Sequence, residues 1–326
     1  MMKCRYMDEI TGGKGIIFAT GTPISNSMCE MFVMQRYLQY STLEKKNLLH
    51  FDAWASTFGE TVTGLELAPE GNGYRSRTRF SRYHNLPELL KMFKETADIK
   101  TADTLNIQRP NAIYQTVVVK PSELQVEMVK DLSARAAVVH SGAIDPRVDN
   151  LLKITSDGRK IGLDQRLMNP LLPDFPGSKV NVCMENIYNV WRETADKRLT
   201  QLCFCDFSTP GGDKEFNIYD DIKSKLLQRG VPAHEVAFIH DADTEIKKKE
   251  LYAKMRSGSV RILFGSTAKL GTGANIQDRL IMLHDLDAPW RPADLQQRAG
   301  RIERYGNFNP EVYILRYVTE STFDVL

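Results

Sequence analysis

Apolar and polar positions divide the chain into an irregular first third and a strongly periodic remainder. Gly15-Ile16-Ile17-Phe18-Ala19-Thr20 is an almost unbroken apolar run, the pattern of a buried strand. Gly21-Thr22-Pro23 breaks it as a turn. Ser27 stands three residues before Glu30, the spacing of a capping box, and Met31, Met34 and Leu38 follow at helical intervals. A strand, a sharp turn and a helix are therefore expected at the start. Residues 41–110 are expected to be mostly helical, with Pro87 in the first turn of one helix and Gly71 and Gly73 in a loop. The chain is expected to pass between domains near Arg109-Pro110, then to form a short strand over 117–119 and a helix over 122–139.

From about Lys179 the alternation becomes regular. Strand-like runs fall at 202–204, 236–239, 262–264, 280–283 and 312–318, with helical stretches at 219–229, 245–256 and 293–304. Strands alternating with helices predict an α/β fold, a parallel sheet with helices on both faces, preceded by the mostly helical region. The expected division is 1–110 and 111–326, with the core of the second domain at about 179–318. In such sheets ligands sit at the carboxyl ends of the strands. The chemistry is therefore expected in the loops that follow them.

Composition narrows this picture. The 326 residues suffice for about two domains, and a hydrophobic fraction of 42% allows a sizeable core. The net charge of +2 is too small to imply a nucleic-acid partner by itself, so local patches must carry that case. Five scattered cysteines do not form a disulfide framework, and a reducing cytoplasm is expected. Cys203 and Cys205 flank Phe204 as small core residues; with no CxxC pair or nearby His, no metal site is expected. No run of 18 apolar residues predicts a membrane span, and Met1-Met2-Lys3-Cys4-Arg5 lacks the apolar core of a signal peptide.

The chemistry concentrates late in the chain. Gln297, Arg301 and Arg304 stand at i, i+4 and i+7, one stripe of a helix; Leu295, Ala299 and Ile302 repeat the spacing on the opposite face. Two preplaced guanidiniums suit a polyphosphate, because each is a rigid, permanently charged fork of donors. The alternative is a solvated basic face with Glu303 as its partner. Gly271-Thr272-Gly273-Ala274-Asn275 follows the 262–264 strand and Ser266-Thr267; its glycines permit close backbone approach to a phosphate, or simply form a turn. Asp285 and Asp287 are expected to orient the arginines or cap the helix rather than hold a metal, and Trp290 to be a packing residue. Lys247-Lys248-Lys249 reads as solvated surface. Arg75, Arg77, Arg79 and Arg82, interleaved with Phe80 and Tyr83, suit a nucleic-acid backbone with stacked rings. His240 and His284 each follow a strand and read as core or loop residues.

Five segments in order resemble helicases of the Swi/Snf type within superfamily two. Residues 19–27, beginning Ala19-Thr20-Gly21-Thr22-Pro23, resemble the third motif, which closes the first motor lobe. Residues 152–170 resemble the lead into the second lobe, 262–276 the fifth motif, 287–292 the connector and 297–307 the sixth motif. The resemblance implies a RecA-like second lobe and the tail of a first. It implies that Arg301 and Arg304 reach the γ-phosphate of ATP bound with Mg²⁺, supported by Gln297. Thr22 would couple nucleotide and DNA, and Ser266, Thr267, Gly271, Gly273 and Asn275 would contact the DNA backbone or relay its position. The variety is similar to proteins of phages and conjugative elements, some carrying a DNA methyltransferase module.

There are departures. Asn307 ends the sixth motif where the family often has Gln. No G-x-x-x-x-G-K-[ST] occurs: Gly12-Gly13-Lys14-Gly15 lacks the hydroxyl residue that would hold Mg²⁺, and Asp8-Glu9 follows no strand that would make it an acidic metal motif. The chain is thus expected to be a fragment whose missing first motor lobe supplies phosphate and Mg²⁺ binding. A non-catalytic DNA- or protein-binding module is the competing class. A small-molecule enzyme would need a constellation of His, Asp or Cys that the sequence lacks.

Overall fold

The computed structural model describes every residue except 1, 14, 22–23, 25–28, 68–73, 101–106, 142–143, 146, 212–215, 271–273 and 326. The chain divides into two compact units, which meet in sequence between Ile107 and Gln108.

The first unit contains α1 (Met2–Thr11), α2 (Glu30–Leu38), α3 (Tyr40–Lys45), α4 (Phe51–Phe58), β1 (Gly59–Leu67), β2 (Tyr74–Tyr83) and α5 (Leu86–Lys94). Its core gathers Met31, Phe32, Leu43, Trp54, Phe58 and Leu89. Trp54 is fully buried, and its indole N–H donates to Gln35 Oε1 at 2.8 Å, so the polar edge of the ring is satisfied. Two expectations are corrected here. Residues 15–20 form no strand: Ile17 is 92% exposed, and among the described residues the segment has no ladder partner. An apolar run specifies a wish for burial, not the neighbour that supplies it. Residues 59–67 and 74–83 are not helical but form an antiparallel ribbon of β1 on β2, with Glu60 opposite Arg82 and Val62 opposite Arg79. Pro87 lies in the first turn of α5, as expected. Ser27, Gly71 and Gly73 lie outside the described residues. Arg82 is exposed, whereas the side chains of Arg75, Arg77 and Arg79 lie outside the described residues.

The second unit has the expected α/β architecture, a parallel sheet with helices between its strands. It comprises β3 (Asn111–Val119), α6 (Glu123–His140), α7 (Leu151–Leu163), α8 (Lys179–Glu193), β4 (Thr200–Phe204), α9 (Ile218–Gln228), β5 (Val236–Phe238), α10 (Glu245–Ser257), β6 (Ile262–Gly265), α11 (Thr267–Leu270), β7 (Leu280–Asp285), α12 (Pro292–Ala299) and β8 (Glu311–Thr319). The six strands pair in parallel in the order β3-β8-β7-β4-β6-β5. Strand alternation explains why both faces are covered. Leu202 and Phe204 of β4 enter one core with Leu251 and Met255 of α10; Cys203 and Cys205 enter the other with Cys183 of α8 and Tyr219 of α9. Helices α6 to α10 start on Ser122, Asn150, Ser178, Asn217 and Thr244, each accepting from the backbone N–H three residues on. At Ser122 the box is complete, because Gln125 Oε1 accepts the Ser122 N–H in return.

The sheet brings the chemistry to one place. The chain leaves central β4 for β5 and β6 on one side, then crosses to β7 and β8 on the other. The loops after β4, β6 and β7 therefore converge at the carboxyl ends, where a parallel sheet opens a crevice. Gly265, at the end of β6, lets α11 fold back tightly: a Cβ there would lie 2.1 Å from Leu270 Cδ1 and 2.9 Å from Ile239 Cγ2. Among the described residues all five cysteines are free, and no helix is long and apolar enough to cross a membrane.

Candidate functional site

Arg298 is the hub of the convergent loops. Its side chain is 1% exposed. Nη2 reaches Asp206 Oδ2 at 2.8 Å and Asp287 Oδ1 at 3.1 Å; Nη1 reaches Asp285 Oδ1 at 3.0 Å and the Asp287 carbonyl at 2.8 Å; Nε donates to Thr267 Oγ1 at 2.8 Å. The guanidinium also lies 5.0 Å from the centroid of Phe204. Every donor direction of the planar fork is occupied. Burial works against its charge, but Asp287, Asp285 and Asp206 overturn that and leave its pKa raised. Burial pushes Asp285 up despite the pull of Arg298, which it shares with two other carboxylates.

The same carboxylates fix backbone. Asp287 Oδ2 accepts the N–H groups of Asp206 and Phe207 at 2.6 and 2.9 Å, and Asp206 Oδ1 accepts that of Thr267 at 2.6 Å. Thr267 Oγ1 donates to Asp206 Oδ2 at 2.8 Å. One guanidinium thus locks together the loops after β4, β6 and β7 and the helix α12. Asp285 and Asp287 orient an arginine, as expected, but it is Arg298. Outside this hub, Arg159 of α7 is sandwiched 4.2 Å from the centroid of Phe207 and 4.7 Å from that of Trp290. Its guanidinium donates to the Ala288 carbonyl. Trp290 packs one face on Arg159, although the residue is 65% exposed.

The arginine stripe is also corrected. Helix α12 ends at Ala299, with Gly300 as its cap, rather than running to 304. Gln297 lies in its last turn, half-buried; Arg301 and Arg304 fall in the turns beyond, so they do not share a helical face with it. The turns still pack, because Ile302 is fully buried. They are tied to the 262–276 stretch by Arg304 Nη1, which donates to the Ala274 carbonyl at 3.2 Å. Asn307 Nδ2 bonds the carbonyls of Leu280 and Ile302 at 2.9 and 3.2 Å, fastening the turns to β7. Burial, then the neighbouring Arg304 charge, lowers the pKa of Arg301. Two half-buried guanidiniums are held close enough to repel, an arrangement that an anion would stabilise.

Ser266 is buried, and its carbonyl accepts the N–H groups of Lys269 and Leu270. Asn275 is exposed, and its carbonyl accepts from Arg256 Nη1 at 2.7 Å. Thr22, Gly271 and Gly273 lie outside the described residues. Lys247 and Lys248 pair with Asp243 and Glu245, as a solvated helix face does. His284 is a core residue between Tyr317 Oη and Gln201 Oε1. Sequence reasoning missed Arg298 and Asp206. For Arg298 a signal existed: it stands three residues after Leu295 and four before Ile302, inside the apolar stripe. A buried arginine demands carboxylates, and Asp285 and Asp287 were at hand. Asp206 carried no such signal.

Residues 1–101 match the family model described as a probable helicase domain, and residues 180–306 the helicase conserved C-terminal domain. A search of curated proteins finds no match. Among solved structures, the C-terminal part of the Fun30 ATPase domain is 14% identical over 66% of this chain and 87% of that one, with a TM-score of 0.47. The DUF1998 helicase MrfA bound to DNA is 16% identical over 42% of this chain and 18% of its own, with a TM-score of 0.31. S. cerevisiae Dbp5 bound to RNA and ADP BeF3 is 21% identical over 44% and 33%, with a TM-score of 0.33. With TM-scores below 0.5, these likenesses place no residue. The second of the family matches runs from α8 to the arginine turns, so this part of the second unit is similar to the helicase conserved C-terminal domain.

Proposed function

We propose that the chain is the C-terminal part of an ATP-dependent DNA helicase or translocase of Swi/Snf type. The second unit is its second motor lobe. Arg301 and Arg304, with Gln297 in support, act on the γ-phosphate of ATP held with Mg²⁺ by a first lobe. Thr22, Ser266, Thr267, Gly271, Gly273 and Asn275 contact the DNA backbone or relay its position.

The observation that carries this reading is the Arg298 hub. The Arg298 side chain joins Thr267 to the helix leading into Arg301 and Arg304, so a displacement at Thr267 would be felt in that helix. A motor needs such a connection between its track and its hydrolytic arginines; a passive binding module does not. Phosphoryl transfer is mostly positioning and charge stabilisation, to which arginines contribute only once a phosphate cradle and Mg²⁺ are in place. The cradle motif does not occur in this sequence. The first lobe of a parent protein of the phage or conjugative-element variety supplies it.

The test compares ATP turnover, with and without DNA, in the parent protein and in this chain alone. Turnover stimulated by DNA in the parent and none in the chain is the expected outcome. A parent protein without DNA-stimulated turnover contradicts the motor reading, and turnover by the chain alone contradicts the division of labour.

A further inference from the structure

Glu303 is the acidic residue of the 297–307 stretch, and it stands beside Arg304 in sequence. A carboxylate in that position is a hazard for an arginine that must meet a phosphate, because it offers the guanidinium an internal anion instead. The fold deals with it from outside the stretch. Tyr114, on strand β3, donates its hydroxyl to Glu303 Oε1. Arg304 points elsewhere, donating to the Ala274 carbonyl at 3.2 Å.

Tyr114 is itself held. The Arg316 guanidinium lies 5.5 Å from the centroid of its ring, and Arg316 Nε is 3.6 Å from Asp285 Oδ2, so the tyrosine is linked to the edge of the carboxylate hub. Strand pairing sets this up: β3 lies beside β8, with Tyr114 opposite Ile314, and β8 lies beside β7, with Arg316 opposite Asp285. Burial, then the bond to Glu303, raises the Tyr114 pKa to about 12, so the hydroxyl stays a donor at any physiological pH.

We propose that Tyr114 is a positioning residue that sequesters the Glu303 carboxylate and thereby keeps Arg304 available to the nucleotide phosphate. The assignment rests on the motor reading above. It makes the edge strand of the lobe part of the hydrolytic apparatus without any contact to nucleotide.

The experiment is steady-state ATP turnover by the parent protein as Tyr114→Phe, Arg304→Ala and the double variant Tyr114→Phe with Glu303→Gln, each with its melting temperature. Tyr114→Phe frees the carboxylate and should lower kcat by about tenfold to a hundredfold, the worth of one hydrogen bond to a charged group expressed as a rate, with KM for ATP little changed. Adding Glu303→Gln removes the freed charge and should restore most of the lost turnover. Without that restoration Tyr114 is merely structural, and the proposal is overturned. Normal turnover in Tyr114→Phe beside a dead Arg304→Ala overturns it while leaving the motor reading intact. Normal turnover in Arg304→Ala overturns both.

Discussion

Arg298 shows what a single residue can decide. From spacing alone, the stripe of Gln297, Arg301 and Arg304 leaves it out. In the structure it is the cation that three carboxylates share. Removing one partner of a buried ion pair leaves uncompensated charge and costs about 3–5 kcal/mol. Arg298→Ala should therefore destabilise the second unit by about that much in urea unfolding; a change within about 0.5 kcal/mol, as for an exposed site, would mean that the hub carries no load. Tyr114 gives a second residue-level check. Its pKa is raised from 10.0 to about 12, by burial and then by the Glu303 bond. A raised pKa favours the protonated form in the fold, so its stabilisation is full below the unfolded value and is lost as pH rises through about 12. Ultraviolet titration of the chain should show a tyrosine ionising late that vanishes in Tyr114→Phe; loss of one titrating near 10 instead would contradict the bond. Arg298 was legible in part, since a cation within an apolar stripe needs partners. Tyr114 was not, because nothing local reveals that residues 114 and 303 meet.

At the scale of elements, strands and helices from β4 onward were legible, because each combines strong periodicity with a cap or turn. Three elements were misread, each for a physical reason. The helix expected to reach 304 stops at Gly300, since Ile302 keeps the apolar spacing while the backbone has already left the helix. The ribbon of β1 on β2 was hidden because the alternating arginines of β2 read as a charge cluster rather than as a period of two. Residues 15–20 have the apolar character of a strand but no ladder partner among the described residues. The junction of β6 with α11 can be tested directly. Gly265→Ala would put a Cβ 2.1 Å from Leu270 Cδ1, and Leu270 is fully buried. Overpacking of this kind costs about 1–3 kcal/mol. A loss of that order, partly relieved by adding Leu270→Ala, is expected from thermal melts; an unchanged melting temperature would show that α11 is not wedged against the strand.

At the scale of the whole molecule, net charge says little, and the division of labour says more. The second unit ties the loops after its strands to Arg298, in the helix that leads into Arg301 and Arg304, while the sequence holds no phosphate loop. On this account the chain alone binds DNA weakly, without sequence preference, and loses it as salt rises, because backbone contacts are governed by counterion release. Tight sequence-specific binding at high salt would not fit. The central claim is that Arg301 and Arg304 act on the transferring phosphate, and it is tested most directly by single-turnover ATP hydrolysis in the parent protein carrying Arg301→Ala or Arg304→Ala. The account predicts a fall in the hydrolysis rate of about a thousandfold, with ATP affinity changed far less and the melting temperature preserved, because the charge these residues meet develops in the transition state. Wild-type hydrolysis rates in both variants would contradict it and reduce the two arginines to a solvated turn.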